Sequence, residues 1–525
     1  MPSFLNGYTR VMTAIGLLAV GALAGCTDQS APLAPVPTNS NAFLTEELVG
    51  PPPDSMFNRW IVLFRNDVDD PIGLSQRLIG LHGGHPIHFY QKAVTGFAVA
   101  NLRASSVDAL RANPLVALVE ESILVPEAAI QYLPLDSYSF QTSSLWSLDR
   151  IDVRQQSFNG EFRYDYTGSG VHIYIVDSGI RCGHTEFAGR IGNGVTRLAN
   201  SWGASPCIDS RGHGTGVASS AGGTTYGIAK GAILHPVRVN DSNKDAYCDD
   251  IVAGLDWVVG NAIRPAVTNL SFGGVPSCFS VRDAIEGVVN AGITMVKSAG
   301  NEDYDAYQDR GNRAVGAIIV GASDYSDRRA TFATGLASYG STITLFAPGY
   351  SVRVAWSGHD SDSQIKFGSS FSAPYVAGAA ATYLQQSPYA NAYAVRDVIR
   401  NSATAGALSN LGAGSPNLLL NSLLRSVAIQ GPDFITSDVE ATYTWTASTT
   451  GGTPQSYLWE ISISGGGYTT VSTAASYSRT IFPADSYNFV LRLTAVVDGE
   501  SVTTTKSVTV SAPEPPPPCG PELIC

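Results

Sequence analysis

Four apolar, β-rich runs, at 170–176, 233–239, 267–272 and 293–296, alternate with stretches of helical character. Few folds accommodate such an alternation. Parallel strands need long crossover connections, and a helix returning over the sheet provides one. The spacing therefore predicts an α/β domain, a parallel sheet flanked by helices. Strands covered on both faces are apolar throughout, so a polar residue that ends one is delivered to a crevice at the sheet's edge.

Asp177 ends such a run, inside V-D-S-G at 176–179. His213 lies in G-H-G-T-G-V-A at 212–218, and Ser370 in G-S-S-F-S-A-P at 368–374. Each alone has an ordinary reading as a strand-to-turn junction, a glycine-rich turn or a helix cap. Together they have a chemical one. A serine hydroxyl needs an imidazole to take its proton as it attacks, and the imidazole needs a buried carboxylate to fix its tautomer and stabilise its charged form. Asn301, in S-A-G-N at 298–301, adds a candidate donor for the oxyanion that attack creates.

These motifs occur with W-S-L-D-R-I-D, H-T-E-F-A-G-R, Y-G-I-A-K-G-A, A-G-L-D-W-V, L-F-A-P-G and G-S-P-N-L-L-L, so that 146–424 resembles the subtilisin-like serine proteases, most closely the proteinase K and aqualysin branch. The resemblance implies peptide-bond hydrolysis in which Asp177 orients, His213 acts as base then acid, and Ser370 attacks. Asn301 and the Ser370 backbone N–H would hold the oxyanion. It also implies two backbone edges, Ser271, Phe272, Gly273 and Gly274 on one side and Ser298, Ala299 and Gly300 on the other. An extended peptide would add to them as a strand, with a hydrophobic side chain at P1. No cofactor is required for the chemistry. A structural calcium ion is a further family feature, yet Thr344 stands where the branch has an aspartate, which leaves the acidic loop of Glu302, Asp303 and Asp305 as the candidate. Gly216, Lys297, Phe371 and Tyr375 depart from the family pattern.

At 525 residues the chain exceeds what one core serves. Its 32 Lys+Arg against 44 Asp+Glu, a net charge of −12, argue against nucleic acid and against a basic membrane-binding surface. Residues 1–25 read as a signal peptide: Arg10, an apolar run at 11–22, then L-A-G-C. That ending resembles a bacterial lipobox, which would make Cys26 the lipidated first residue and tie the protein to a membrane. Residues 26–57 read as a disordered tether, and 58–127 as a small α+β module that resembles the inhibitory propeptide of subtilases. A processing linker follows at 128–144, then the catalytic domain at 145–425. Alternating strands at 426–512 predict an antiparallel β-sandwich, immunoglobulin-like or polycystic-kidney-disease-like, with Trp445, Trp459 and Tyr487 chiefly in its core. A Pro-rich tail occupies 513–525.

Beyond Cys26, six cysteines remain, and an even set in an exported chain suggests disulfides whose pairing the sequence leaves open. The resemblance favours Cys207 with Cys248, leaving Cys182 with Cys278 and a tail pair, Cys519 with Cys525. No paired spacing suggests a metal site. The expected protein is an exported, self-processing serine endopeptidase acting on proteins or peptides, held at a bacterial outer membrane or cell surface until processing releases it. The alternative is a catalytically silent, surface-anchored binding protein using the C-terminal sandwich.

Overall fold

The computed structural model describes residues 58–126, 145–199, 203–241, 245–273, 278–333, 335–497 and 499–513. Cys26, Gly274, Cys519, Cys525 and the whole processing linker lie outside them. Among the described residues no helix is long and apolar enough to cross a membrane.

The first module runs β1 (Arg59–Phe64), α1 (Pro71–His82), β2 (His85–Tyr90), β3 (Gly96–Ala100), α2 (Ala104–Ala112), β4 (Val116–Glu121) and β5 (Leu124–Val125). Asp70 starts α1 by accepting the Gly73 N–H at 2.8 Å, and Pro71 occupies a position where no N–H is needed. Strands β1 to β4 form an antiparallel sheet in the order β2-β3-β1-β4. Side chains alternate across it. Val62, Phe64, Phe97 and Val99 pack against Leu74 and Leu78 of α1 and Val107 and Leu110 of α2. Ile61, Leu63, Ile87 and Tyr90 point the other way, into a core shared with the central domain.

The catalytic domain continues with α3 (Trp146–Asp149), β6 (His172–Asp177), β7 (Val195–Thr196), α4 (His213–Gly222), β8 (Ile233–Arg238), β9 (Ala246–Tyr247), α5 (Cys248–Asn261), β10 (Ala266–Leu270), α6 (Phe279–Asn290), β11 (Thr294–Ser298), β12 (Ile318–Ser323), β13 (Thr331–Phe332), β14 (Gly335–Leu336), β15 (Leu345–Pro348), β16 (Val352–Ala355), β17 (Ser363–Lys366), α7 (Ser369–Gln386), α8 (Ala392–Ser402), β18 (Thr404–Ala405) and β19 (Leu418–Leu419). Nine strands make one sheet in the order β18-β19-β15-β12-β11-β10-β6-β8-β7, parallel except where β18 meets β19. The four predicted runs are β6, β8, β10 and β11, and their shared sheet is the predicted architecture. Two cores lie on its faces. One holds α5 and α6 with the first module's sheet. The other holds α4, α7 and β16. Helix α7 is buried from Ser369 to Leu384, and its small residues let it run through the interior against α4.

The C-terminal residues form a three-stranded sheet, Ser426–Gln430, Ala441–Thr450 and Ser476–Ile481, and a five-stranded one, Phe434–Thr436, Glu500–Ser511, Tyr487–Val497, Pro454–Ile463 and Thr469–Ser472. Both contribute to a single core in which Trp445 and Trp459 are fully buried.

The disulfide expectation is corrected. Cys182 pairs with Cys207 and Cys248 with Cys278, across Cα separations of 5.1 and 6.5 Å. The loop after β6 lies on the segment before α4, where the Ile180 N–H donates to the Pro206 carbonyl at 3.2 Å. Cys248 opens α5 and Cys278 caps the neighbouring α6, so each cysteine meets its partner on its own side of the sheet.

Candidate active site

Asp177 is the last residue of β6 and is fully buried. His213 is the first residue of α4, entered through Gly212 in the left-handed region at φ 87°. The His213 Nδ1–H donates to Asp177 Oδ1 at 2.7 Å, and the Ser178 N–H donates to the same oxygen at 2.8 Å. Carboxylate and imidazole, 36 residues apart in sequence, are therefore joined as the predicted chemistry requires.

Asp209 was not singled out from sequence. It accepts from Gly212 N–H at 2.7 Å, Thr215 N–H at 2.8 Å, Thr215 Oγ1 at 2.6 Å and Ser178 Oγ at 2.9 Å. One carboxylate thus ties the end of β6 to the start of α4. Burial raises its pKa, against the pull of those donors. The available signal was its place four residues before His213, where an Asp side chain reaches the backbone N–H groups two and three positions on.

Ser370 is the second residue of α7, which begins after Gly368 at φ 129°. Its Oγ donates to the Ser271 carbonyl at 3.1 Å, while Ser271 Oγ donates to the Ser370 carbonyl at 2.9 Å. Asn301 accepts the Ser369 N–H on Oδ1 at 2.8 Å. That bond fixes its amide plane, with Nδ2 facing the Gly368 backbone, where a Cβ would lie only 3.1 Å away. The Phe371 ring meets the His213 ring edge-on, 5.4 Å between centroids, which brings the start of α7 beside that of α4.

Ser271, Phe272 and Gly273 lie beside Ser298, Ala299 and Gly300. Ser298 Oγ donates to the Phe272 carbonyl at 3.1 Å, and Gly273 and Gly300 approach so closely that a Cβ on Gly273 would sit 3.2 Å from Gly300 Cα. Ala299 lies between, buried.

The departures have physical accounts. A Cβ on Gly216 would meet Phe371 at 3.0 Å and Val354 at 3.1 Å, so the missing side chain makes room for the large one. Tyr375 is buried with its hydroxyl 2.8 Å from Ser147 Oγ, and burial pushes the phenol well above its usual pKa. Lys297 is buried with Nζ 2.8 Å from Asp309, 2.8 Å from Asn312 and 3.1 Å from the Ser298 carbonyl. Asn312 in turn donates to the Ala299 carbonyl at 3.1 Å. Far from disturbing the 298–300 edge, Lys297 braces it from behind.

The carboxylates of the acidic loop are engaged by neighbouring protein groups. Glu302 accepts the Asn301 N–H, Asp303 pairs with Arg329, and Asp305 accepts the Tyr307 N–H. Thr344 accepts the Ile319 N–H. Among the described residues the one His/Asp/Glu group with ligand-like spacing is His88, Asp249 and Asp250, and there the Arg59 guanidinium supplies the positive charge.

The sequence model of the Subtilase family matches residues 168–418. The "Extracellular serine proteinase" of Thermus sp. (strain Rt41A) is 38% identical over 388 residues, spanning 70% of this chain and 90% of the relative. The "Alkaline serine exoprotease A" of Vibrio alginolyticus is 33% identical over 360 residues, 68% of this chain and 64% of the relative. Fervidolysin from Fervidobacterium pennivorans superimposes with a TM-score of 0.57 at 15% identity, over 87% of this chain and 91% of that structure, a likeness of fold. A buried Asp–His pair and a helix-borne serine on a parallel sheet, in a chain with these relatives, lead to one conclusion: the protein belongs to the subtilase family and is a serine endopeptidase, whose chemistry needs no cofactor.

Proposed function

We propose that Asp177, His213 and Ser370 are the catalytic triad, and the observation that carries this is the 2.7 Å Asp177–His213 bond beside the start of α7. Ser370 Oγ exchanges its bond to the Ser271 carbonyl for one to His213, then attacks the substrate carbonyl as the imidazole takes its proton. Asp177 stabilises the imidazolium through Nδ1–H, and the oxyanion is held by Asn301 Nδ2 and the Ser370 N–H. His213 returns the proton to the departing amine, and water hydrolyses the acyl-enzyme by the same route in reverse. The edges 271–274 and 298–300 bind the acyl side of the peptide. The absence of side chains at Gly273 and Gly300 and the apolar residues around Phe272 favour a hydrophobic P1 residue.

The first module acts as an inhibitory propeptide, and its contacts support that reading. Strand β5 adds antiparallel to β9, placing Val125 against Ile251, Phe272 and Gly273. Glu120 accepts the Phe279 and Ser280 N–H groups at 3.0 and 2.8 Å, capping α6. The chain thus leaves the module along the proposed acyl-side cleft and is cut in the linker that follows. Export as a lipoprotein through Cys26, membership of the proteinase K and aqualysin branch, and an immunoglobulin-like C-terminal sandwich complete the proposal. The printed name of the Thermus relative, an extracellular proteinase, favours export. Nothing favours the silent binding protein.

The test is the intact mass of wild type and Ser370→Ala, followed by incubation with a peptide library. Wild type alone should lose the first module and cleave the library, with turnover in the variant down by roughly 10⁶, the scale known for subtilisin itself. Processing of Ser370→Ala in a host without other proteases would sink self-cleavage. Incorporation of a lipid label into Cys26→Ser as into wild type would sink the anchor.

A further inference from the structure

Lys297 places a charge inside the protein, four residues before Asn301. It is buried with Asp309, and the two line a small cavity with Leu270, Phe272 and Val281. Gly311 leaves room for its stem, since a Cβ there would lie 2.9 Å from Lys297 Cε. A buried ion pair is weak evidence for stability, because apolar residues of similar volume often serve as well or better. Stability alone therefore does not account for a lysine at this position.

The hydrogen bonds do. Lys297 Nζ donates to Asp309 Oδ2 and Asn312 Oδ1, each at 2.8 Å, and to the Ser298 carbonyl at 3.1 Å. Asn312, oriented by that bond, donates from Nδ2 to the Ala299 and Ala306 carbonyls at 3.1 and 3.0 Å. One ammonium thus fixes two consecutive carbonyls, Ser298 directly and Ala299 through Asn312. The chain then turns at Gly300, φ 112°, a conformation that favours glycine. The Gly300 N–H donates to Ser369 Oγ, and that hydroxyl donates to the Gly300 carbonyl, both at 3.2 Å. Asn301 Oδ1 accepts the Ser369 N–H at 2.8 Å. The brace is continuous with the proposed oxyanion amide, and it ends beside Ser370. A misplaced oxyanion donor costs rate rather than binding, because the charge it meets is formed only in the transition state.

We infer that Lys297, acting through the Ser298 carbonyl and through Asn312, is a positioning residue for Asn301 as oxyanion donor. The inference rests on the protease reading above. Two variants probe it by different routes. Lys297→Met/Asp309→Asn removes both charges and keeps an acceptor at 309 for the Gly311 N–H, which Asp309 Oδ1 holds at 2.9 Å. Asn312→Ala keeps the ion pair and removes the bond to the Ala299 carbonyl.

kcat and KM would be measured on a short peptide amide, using enzyme matured from the full chain and counted by titration with a serine-directed phosphonate. Each variant should lower kcat by about ten-fold and leave KM within about two-fold, the scale of one hydrogen bond. In an Asn301→Ala background, itself slower by about 10²–10³, neither should cost more than about two-fold again, because the group they position is gone. Thermal melting separates fold from placement: Lys297→Met alone should melt below the double variant, which leaves no buried charge without its partner. Unchanged kcat in both variants, a loss confined to KM, or a full multiplicative loss in the Asn301→Ala background would overturn the inference. Equal kcat for wild type and Asn301→Ala would overturn the oxyanion assignment and the inference with it. Failure of wild type to cleave any peptide would defeat the protease reading itself.

Discussion

The first module and the C-terminal module are both β-rich, and both adjoin the same catalytic domain, but they are built differently. The C-terminal sheets close on themselves: Trp445, Trp459, Phe489 and Leu491 belong to a core drawn entirely from residues 427–510. The first module's sheet buries one face on its own helices and the other on α5 and α6. Its polar contacts are also shared. Arg59 binds Asp249 and Asp250, His88 Nε2 lies 2.8 Å from Asp250, Ser122 Oγ bonds Asp249 at 2.5 Å, and Asp256 accepts the Lys92 and Ala93 N–H groups at 2.6 and 2.8 Å. A sheet with one uncovered face is an unfinished structure. The difference teaches that the first module and the catalytic domain complete one another, whereas the C-terminal module completes itself.

Removal of each module gives the largest test of that contrast. Expression of the catalytic domain without 58–126 should yield little active enzyme, because the α5/α6 face must form without its cover. Expression without 426–513 should leave kcat/KM on a small peptide within about two-fold, surface changes far from the chemistry having little effect. Comparable yields and activities from both truncations would erase the distinction.

Within the shared interface, Arg59→Ala leaves Asp249 and Asp250 buried without their cation, at a cost of about 3–5 kcal/mol. In the Ser370→Ala background this should free the module from the catalytic domain, read as faster hydrogen exchange in β1 and β5. Trp445→Ala, about 3–5 kcal/mol by loss of a buried aromatic, should melt the C-terminal module in a separate transition and leave peptide hydrolysis unchanged. A joint transition of both domains would contradict the self-contained core.

The smallest effect separates the catalytic domain from both neighbours by pH. Burial lowers the His235 pKa from 6.5 to about 4, with its ring stacked on Tyr174 and bonded to His172 and to the Asn193 carbonyl. The unfolded chain then binds the proton more readily than the native one. Stability is full above pH 6.5 and is lost as pH falls toward 4. The loss is about 3 kcal/mol at most. His235→Leu should flatten the melting temperature across that window, and an unchanged slope would assign the acid sensitivity to other groups.

Most of the scaffold was legible because its signals are local. Parallel strands buried on both faces need largely apolar runs, and β6, β8, β10 and β11 carry them, with buried polar residues such as His235, Asn269 and Lys297 as exceptions. The first module's helices and the long C-terminal strands show their periodicity for the same reason. Asp177, His213, Ser370 and Asn301 stand out in the sequence because the proposed chemistry demands those residue types within glycine-rich turns. Asp209 escaped attention because a carboxylate that accepts backbone N–H groups looks like any turn residue until its partners are assembled.

The sequence by itself determined the residue types of the proposed reaction, the order of the elements that carry them and the places where the chain changes character. Tertiary structure alone decided who meets whom. The cysteine pairing turned on which side of the sheet each loop lies, a relation no spacing encodes. Lys297 reads as an intruder in sequence, yet becomes a brace when Asp309 and Asn312 close around it. Gly216 and Phe371, 155 positions apart in the chain, exchange volume only because α4 and α7 pack together. Local propensity acts over a few residues, while pairing, burial and charge compensation act between residues that only the folded chain makes neighbours.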